Sequence, residues 1–476
     1  MRSPSATPAR EARPGSGRAA RRTALAAVPA AVVTGLLAFA AVPAAPAAPA
    51  GAAEPAAPGI TRPATAVPDL SRPVPAGRQF RTPVPTTACQ ADLGMSCYTP
   101  LQYRAAYDLN PLYARGITGR GETIVIVDSY GSPTIQNDLR VFDQQFGLRS
   151  PDLQIDRFGT IPPFDPASSA MVEWARETTL DVEYAHAVAP GAKIVLAETP
   201  VAETEGVTGL PQMMAAEESL INQGVGDVIS QSFGATEDTF PGFAQGNFSS
   251  LLGLRYAFTD AQAHDVTVLA ASGDEGATND EADGTTVYPY PVNSWPSSDP
   301  LVTSVGGTQL FLDNAGRRLQ PDAVWNDGHG AGGGGESAVF APPAYQQAVR
   351  DVVGSHRGTP DISMSAAVNG GAWVYWSFAG AGWDIVGGTS EATPIFSGVV
   401  ALADQQAGHR LGLINPRLYQ LGLAGPVGRP SGGLVDVAAG NNSFGGVTGF
   451  PATAGYDLAS GWGTIDAAKF VPALAG

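Results

Sequence analysis

From residue 123 onward, short apolar runs alternate with longer stretches that repeat their apolar positions with helical spacing. The runs that predict buried strands are Thr123–Val127, Lys193–Ala197, Asp227–Ser230 and Val266–Ala271. The stretches that predict helices are Met171–Val188, Leu210–Gln223 and Ser249–His264, and a last long helix is expected to begin near Ser390. Buried strands that alternate with helices predict an α/β fold with a mainly parallel sheet covered on both faces.

The amino-terminal region has a different pattern, in which basic residues precede an apolar run from about residue 23 to residue 42. The basic residues are Arg2, Arg10, Arg13, Arg18, Arg21 and Arg22. This pattern, followed by small residues, predicts a secretory signal over residues 1–50, with a retained membrane anchor as the alternative. Residues 51–96 are rich in Ala, Pro and Thr and predict a low-complexity linker or short pro-segment. Residues 97–476 are expected to form one domain.

Composition narrows the class of protein. Hydrophobic residues make up 44% of the 476-residue chain, which is enough for a sizeable core. The formal net charge of −17 argues against a nucleic-acid partner, and no second apolar run is long enough to span a membrane. Cys89 and Cys97 are the two cysteines; in an exported chain they are expected to close a small disulfide loop, and two free thiols are the alternative. We expect a secreted monomer.

The sharpest motif is Gly387–Pro394, which places Ser390 at the predicted start of the last long helix. A serine there is exposed to the positive end of the helix dipole, although an ordinary helix cap has the same residues. A Ser-His-Asp triad fails, because no histidine lies in a suitable motif, even though the strand ending at Asp128 resembles that of subtilisin-like proteases. His186 is expected to be a packed histidine near a helix end.

Carboxylates offer another set of partners for Ser390. Glu177 and Asp181 are four residues apart and therefore share one helix face, with Glu173 four residues earlier. If they are buried together they should hold a proton between them, whereas on an exposed face they would be an acidic stripe. Asp274 follows a predicted strand; it can donate a hydrogen bond to an oxyanion only when protonated, and the alternative is a turn residue.

These motifs in this order resemble the sedolisin (serine-carboxyl peptidase) family. The motifs are Glu-x-x-x-Asp at 177–181, Ser-Gly-Asp-x-Gly at 272–276 and Gly-Thr-Ser-x-x-x-Pro at 388–394, supported by Tyr98–Pro100, Arg104–Tyr107 and Pro360–Ser363. The resemblance implies a subtilisin-like fold and peptide hydrolysis in acid. It implies that Ser390 is the nucleophile, Glu177 the general base, Asp181 its orienting partner and Asp274 the oxyanion donor. It also implies that the glycine-rich stretch Gly330–Ser337 lines the cleft; a flexible loop is the alternative.

The resemblance further implies a calcium site near the carboxyl terminus. Its ligands would be Asp436, Val437, Thr453, Gly455 and Asp457. Two carboxylates and three backbone carbonyls supply the hard oxygen ligands that Ca²⁺ takes, whereas turn residues are the alternative. The family also leads us to expect a long folded prodomain, but only about 45 low-complexity residues separate the predicted signal from the predicted domain.

The sequence therefore predicts a secreted, calcium-binding endopeptidase that acts in acid on protein or peptide substrates. A catalytically silent binding protein on the same fold and an acid esterase or amidase are the alternatives.

Overall fold

Apolar residues of the predicted strands alternate between the two faces of one sheet. Ile124 and Ile126 pack into one hydrophobic core, and Val125 and Val127 pack into a second core. Successive side chains of a strand point to opposite faces, so this alternation requires cover on both sides of the sheet. The computed structural model describes residues 80–476 except 381, 427 and 428, and the predicted signal therefore lies outside the described residues.

The described strands are, in chain order, β1 (Cys97–Tyr98), β2 (Thr123–Ser129), β3 (Asp152–Arg157), β4 (Lys193–Thr199), β5 (Val228–Gln231), β6 (Ala235–Thr236), β7 (Thr267–Ala271), β8 (Ser294–Trp295), β9 (Thr303–Gln309), β10 (Ala323–Val324), β11 (Gly335–Glu336), β12 (Gly358–Thr359), β13 (Ile362–Ser365), β14 (Gly371–Trp376), β15 (Gly382–Val386), β16 (Leu434–Val435) and β17 (Thr464–Ile465). The main sheet has the order β10-β9-β7-β5-β2-β4-β3, and β13 also pairs with β9. Its pairs are parallel except β9 with β10. The predicted α/β class is confirmed.

The described α-helices are α1 (Thr86–Leu93), α2 (Pro100–Ala106), α3 (Asn110–Ala114), α4 (Ile135–Phe146), α5 (Ser169–Val188), α6 (Leu210–Asn222), α7 (Ser249–Leu252), α8 (Tyr256–Ala263), α9 (Arg350–Val353), α10 (Thr389–Ala407), α11 (Asn415–Leu423) and α12 (Ala467–Leu474). Helices α5, α6 and α10 match their predictions closely. The single helix predicted over Ser249–His264 is wrong, because α7 ends before Gly253 and α8 begins at Tyr256. Glycine is a weak helix former, and it interrupts the pattern here.

The described fold begins before the predicted boundary at residue 97. Phe80 pairs with Trp383 through backbone hydrogen bonds, and its ring lies 4.9 Å from that of Trp373. Helix α1 follows, and a disulfide joins Cys89 to Cys97. The disulfide prediction is confirmed, whereas the assignment of residues 80–96 to a linker is corrected. A buried cystine and an aromatic contact tie this segment to the rest of the chain despite its low complexity.

The carboxyl ends of the parallel strands meet along one edge of the sheet. Strand β2 ends with Asp128 and Ser129, β5 is followed by Ser232, and β7 is followed by the loop that carries Asp274. This edge is where α/β proteins usually bind their ligands. Within the part of the chain that the structure describes, no helix combines the length and the apolar character needed to cross a bilayer.

Candidate active site

Ser390 lies in the first turn of α10. The helix begins after Gly388, whose φ of 123° is a conformation that side chains other than hydrogen rarely allow. A Cβ at Gly388 would also lie 2.7 Å from Oδ2 of Asp274. The glycine therefore lets the helix start against the Asp274 loop, and it leaves Ser390 at the positive end of the helix dipole, only 2% exposed.

Glu177 and Asp181 lie on α5, which packs against α10. Both side chains are fully buried, which excludes the exposed acidic stripe that the sequence left open. Oδ1 of Asp181 accepts a hydrogen bond from the Ser232 hydroxyl at 2.9 Å, and that hydroxyl also lies 3.4 Å from the Ser390 carbonyl oxygen. Ser232 thus links the acidic face of α5 to the first turn of α10.

Burial controls the titration of this pair. It raises the pKa of Glu177 well above its usual range, the Asp128 carboxylate raises it further, and the Ser390 hydroxyl lowers it. Burial likewise raises the pKa of Asp181, with added repulsion from Glu177 and Asp128. Neither oxygen of Glu177 has a well-aligned hydrogen bond to any described residue. The Ser390 hydroxyl therefore lies near the carboxyl group of Glu177 without an aligned hydrogen bond to it.

Asp128 is a third buried carboxylate that the sequence analysis set aside when the histidine triad failed. It ends β2 with no exposed surface. Burial raises its pKa to about 7, the Thr178 hydroxyl lowers it, and Glu198 raises it. Asp128 lies at the carboxyl end of a central strand, at the edge of the sheet where Glu177 of α5 also lies. That position is the signal that could have identified it.

Asp274 lies in the loop after β7, against the first turn of α10. Its Oδ1 accepts hydrogen bonds from the backbone N–H of Thr389 at 2.7 Å and from the Thr389 hydroxyl at 2.8 Å. Those bonds hold the carboxyl group at the amino-terminal end of α10. The fold therefore brings Glu177, Asp181, Asp274 and Ser390 together from two helices and a loop.

The glycine-rich stretch over residues 330–335 is buried and packs behind the Asp274 loop. The Gly333 N–H donates to the Gly273 carbonyl at 2.7 Å, and the Ser272 hydroxyl donates to the Gly333 carbonyl at 2.7 Å. A Cβ at Gly333 would lie only 2.1 Å from the Ser272 carbonyl oxygen, so the close contact requires glycine. The predicted flexible-loop alternative is excluded, and the stretch supports the loop that carries Asp274.

A pocket opens beside Ser390. Its wall is formed by the segment after β5 and by the Asp274 loop. The lining residues include Ser232, Phe233, Gly234, Asp274, Asn279 and Ser390, together with the acidic Glu205, Glu275 and Asp280. Burial raises the pKa of Glu205 to about 8. Ser390 itself forms part of the pocket wall.

No imidazole lines this pocket, although all five histidines are in the described part of the chain. His186 is buried near the end of α5, where Nε2 lies 2.8 Å from the Arg149 carbonyl oxygen and 3.2 Å from Oδ1 of Asp143. The prediction of a packed histidine is confirmed.

The predicted calcium ligands lie together near the carboxyl terminus. Oδ2 of Asp457 accepts from the Thr453 N–H at 2.8 Å, and the Asp436 carboxylate accepts from the Gly455 N–H at 3.2 and 3.3 Å. Burial raises the pKa of Asp457 to about 6 and also raises that of Asp436. The described residues contain no group of three or more acidic, histidine or cysteine side chains suited to a metal. A cation here would depend on two carboxylates and on carbonyl oxygens such as that of Val437, a donor set that fits Ca²⁺.

Comparison with known proteins agrees with this geometry. The sequence model of the Subtilase family matches residues 171–417. Kumamolisin of Bacillus sp. (strain MN-32) is 31% identical over 80% of this chain and 64% of its own length. Sedolisin of Pseudomonas sp. (strain 101) is 31% identical over 78% of this chain and 60% of its own length. The chain thus spans less than two thirds of these relatives.

Among solved structures, a similar one is Pseudomonas sedolisin (serine-carboxyl proteinase) in complex with pseudo-iodotyrostatin. The two chains share 28% identity with a TM-score of 0.65, over 79% of this chain and 97% of the other. The fold and the carboxylate-based site define a subtilisin-like protein. The chain belongs to the subtilase family and, within it, to the sedolisin family.

Proposed function

We propose that this chain is a secreted serine-carboxyl endopeptidase that cleaves protein or peptide substrates in acid. The observation that carries the proposal is the placement of Ser390 at a helix amino terminus, between the buried Glu177–Asp181 pair and Asp274, with no histidine in the pocket. Carboxyl groups are then the acids and bases within reach of the nucleophile. The amino-terminal basic and apolar pattern supports export.

Acylation follows from these positions. The Ser390 hydroxyl oxygen attacks the carbonyl carbon of the scissile bond while its proton passes to Glu177. Asp181 holds Glu177 in place and shares its proton, and Ser232 fixes Asp181 through the 2.9 Å hydrogen bond. Protonated Asp274 donates to the developing oxyanion. When the intermediate collapses, Glu177 returns the proton to the leaving amine, and water then hydrolyses the acyl-enzyme by the same route in reverse.

Acid dependence follows from the same groups. Asp274 has a hydrogen to donate only when it is protonated. Glu177 can accept a proton only when the buried pair is not fully protonated, and burial raises the pKa of both members. A base with a raised pKa removes the serine proton more effectively than an ordinary carboxylate. Activity therefore requires a pH at which Asp274 keeps its proton and the buried pair has lost one, and we expect this window on the acid side, at roughly pH 3–5.

We also propose that Asp436, Val437, Thr453, Gly455 and Asp457 hold a calcium ion. The two partly buried carboxylates and the adjacent carbonyl groups support this proposal. Calcium would supply positive charge that neutralises the two carboxylates and ties β16 to the loop before α12. It would take no part in the reaction.

The test is Ser390→Ala with Ser397→Ala as a matched control. Ser397 is a buried serine of the same helix, whose hydroxyl donates to the Pro394 carbonyl at 2.8 Å. Ser390→Ala should fold normally by circular dichroism and lose casein and peptide hydrolysis at pH 4 by a factor on the order of 10³ or more. The Ser397 variant should keep turnover.

The outcomes separate the candidate functions. Hydrolysis at the wild-type rate by folded Ser390→Ala refutes the assignment of the nucleophile. Cleavage of esters without cleavage of peptides identifies an esterase, and peptide binding without any turnover identifies a silent binding protein. An acyl-enzyme trapped by acid quench and detected by mass spectrometry on Ser390 supports the proposed route.

A further inference from the structure

Glu391 immediately follows the nucleophile and has no part in the mechanism above. It is fully buried in the first turn of α10. Its carboxyl group lies close to the Tyr103 and Ser365 hydroxyls and to the Ala372 N–H, which come from α2, β13 and β14. A carboxyl group beside a nucleophile and shielded from water needs an explanation.

Neither carboxyl oxygen of Glu391 has a well-aligned hydrogen bond to a described residue. The Tyr103 hydroxyl donates to the Gly370 carbonyl at 3.0 Å, and the Tyr184 hydroxyl donates to the Trp373 carbonyl at 3.0 Å. Both tyrosine protons are therefore used in hydrogen bonds to backbone carbonyl groups. The two hydroxyl oxygens can still accept a hydrogen bond. A protonated carboxyl group can donate to such an oxygen, whereas a carboxylate cannot.

Electrostatics point the same way. Burial is the largest effect and raises the pKa of Glu391 well above its usual range. The Tyr103 and Ser365 hydroxyls and the Ala372 N–H lower it, and the Asp274 charge, the smallest effect, raises it. The helix dipole favours an anion in this turn, but that effect is small compared with the cost of burying an unpaired charge. The titratable groups that face Glu391 are Tyr103 on α2, Tyr107 directly after α2, Tyr184 on α5 and Asp274 after β7.

We propose that Glu391 is a positioning residue that stays protonated in the active enzyme, and that its ionisation helps to end activity on the alkaline side. This inference rests on the proposed peptidase function. An ionised Glu391 would place a negative charge one residue from Ser390, where negative charge develops on the substrate oxygen. That charge would oppose the helix dipole, so the transition state would lose stabilisation.

The test is the pH profile of Glu391→Gln, since an amide keeps the shape and both hydrogen-bonding roles but cannot ionise. With an oligopeptide substrate from pH 2 to 8, kcat at the optimum should stay within about threefold of wild type. One pH unit above the alkaline midpoint of wild type, relative activity should rise three- to tenfold, since one unit corresponds to about tenfold. The acid limb should not move. Glu391→Leu, also neutral, should show the same alkaline extension if the amide does not fold.

The matched control is Glu183→Gln. Glu183 is another buried glutamate, on α5, whose raised pKa comes from burial and from Asp138 and Asp143. Its profile should coincide with that of wild type. A Glu391→Gln profile that coincides with wild type, or a loss that is equal at every pH with a native fold, overturns the inference.

Unfolding separates this inference from the proposed function. If wild type proves inactive, the function fails, but the urea midpoint still reports the protonation of Glu391. The midpoint of Glu391→Gln should exceed that of wild type by an amount that grows as pH rises above about 4, because ionisation destabilises only wild type. A constant difference overturns the inference.

Discussion

Replacing Asp128 by asparagine should change the pH dependence of stability rather than stability in acid. Burial is the main cause that raises the pKa of Asp128 from 3.8 to about 7. The folded state therefore holds this proton more tightly than the unfolded state does. The stabilisation that comes from this tighter proton binding is fully present below about pH 4, where Asp128 is protonated in both states. It is lost as pH rises toward 7.

The size of the effect follows from the shift. A difference of about three pKa units corresponds to about 4 kcal/mol. The asparagine side chain cannot ionise. The free energy of unfolding of Asp128→Asn, relative to that of wild type, should therefore rise by about 3–4 kcal/mol between pH 3 and pH 7. The new amide also introduces an N–H₂ group into a site where neither oxygen of Asp128 has a well-aligned hydrogen bond among the described residues. That cost, about 1–3 kcal/mol, does not depend on pH.

The assay is urea unfolding followed by tryptophan fluorescence at pH 3, 5 and 7, in a Ser390→Ala background that prevents self-digestion. Asp152→Asn is the control, because Asp152 is exposed on the edge strand β3. The free energy of unfolding of this control should stay close to that of its parent. If the difference between Asp128→Asn and its parent stays constant within about 1 kcal/mol from pH 3 to pH 7, the reasoning is refuted.

Two more predictions concern Asp274 and the calcium site. Asp274→Asn should lose a factor on the order of 10²–10³ in turnover. The activity that remains should decline less at higher pH than that of wild type, because an amide donates at any pH. An alkaline limb identical to that of wild type would contradict the oxyanion role. Chelation should lower the melting temperature of wild type but not that of Asp457→Ala, because a ligand of the folded state adds stability. Equal melting temperatures for wild type with and without chelator, and no calcium by elemental analysis, would remove the site.

Much of the fold could be predicted because its strands are buried on both faces. The apolar runs at Thr123–Val127 and Lys193–Ala197 leave few alternatives to a covered parallel sheet. The helix break at Gly253 was missed because the apolar spacing continues across it. The folded segment at residues 80–96 was missed because its stability comes from the disulfide and from the contact of Phe80 with distant aromatic residues, which local composition does not record.

The four proposed catalytic residues could be predicted because each lies in a short motif. Glu391 could not, since its importance lies in burial rather than in spacing, and Asp128 was signalled only by its position at the end of a central strand. A carboxylate at the end of a strand is usually exposed, and a glutamate in the first turn of a helix is usually a favourable surface charge. Only packing of α5 and α10 against the sheet shows that both are shielded from water.

The buried carboxyl groups away from the site connect the chemistry to the stability of the fold. Burial raises the pKa of Glu217 and Asp404 to about 8 and that of Glu237 to about 7. Each group stabilises the folded state below about pH 4, where it is protonated. As pH rises this stabilisation is lost, and the free energy of unfolding falls by about 4 kcal/mol for a pKa shift of three units. Ionising two or three of these groups would cancel a typical free energy of unfolding, which is about 5–15 kcal/mol. The acid range in which we propose that Asp274 donates a proton is therefore also a range in which these three groups are neutral, so acid conditions favour both the proposed reaction and the fold that supports it.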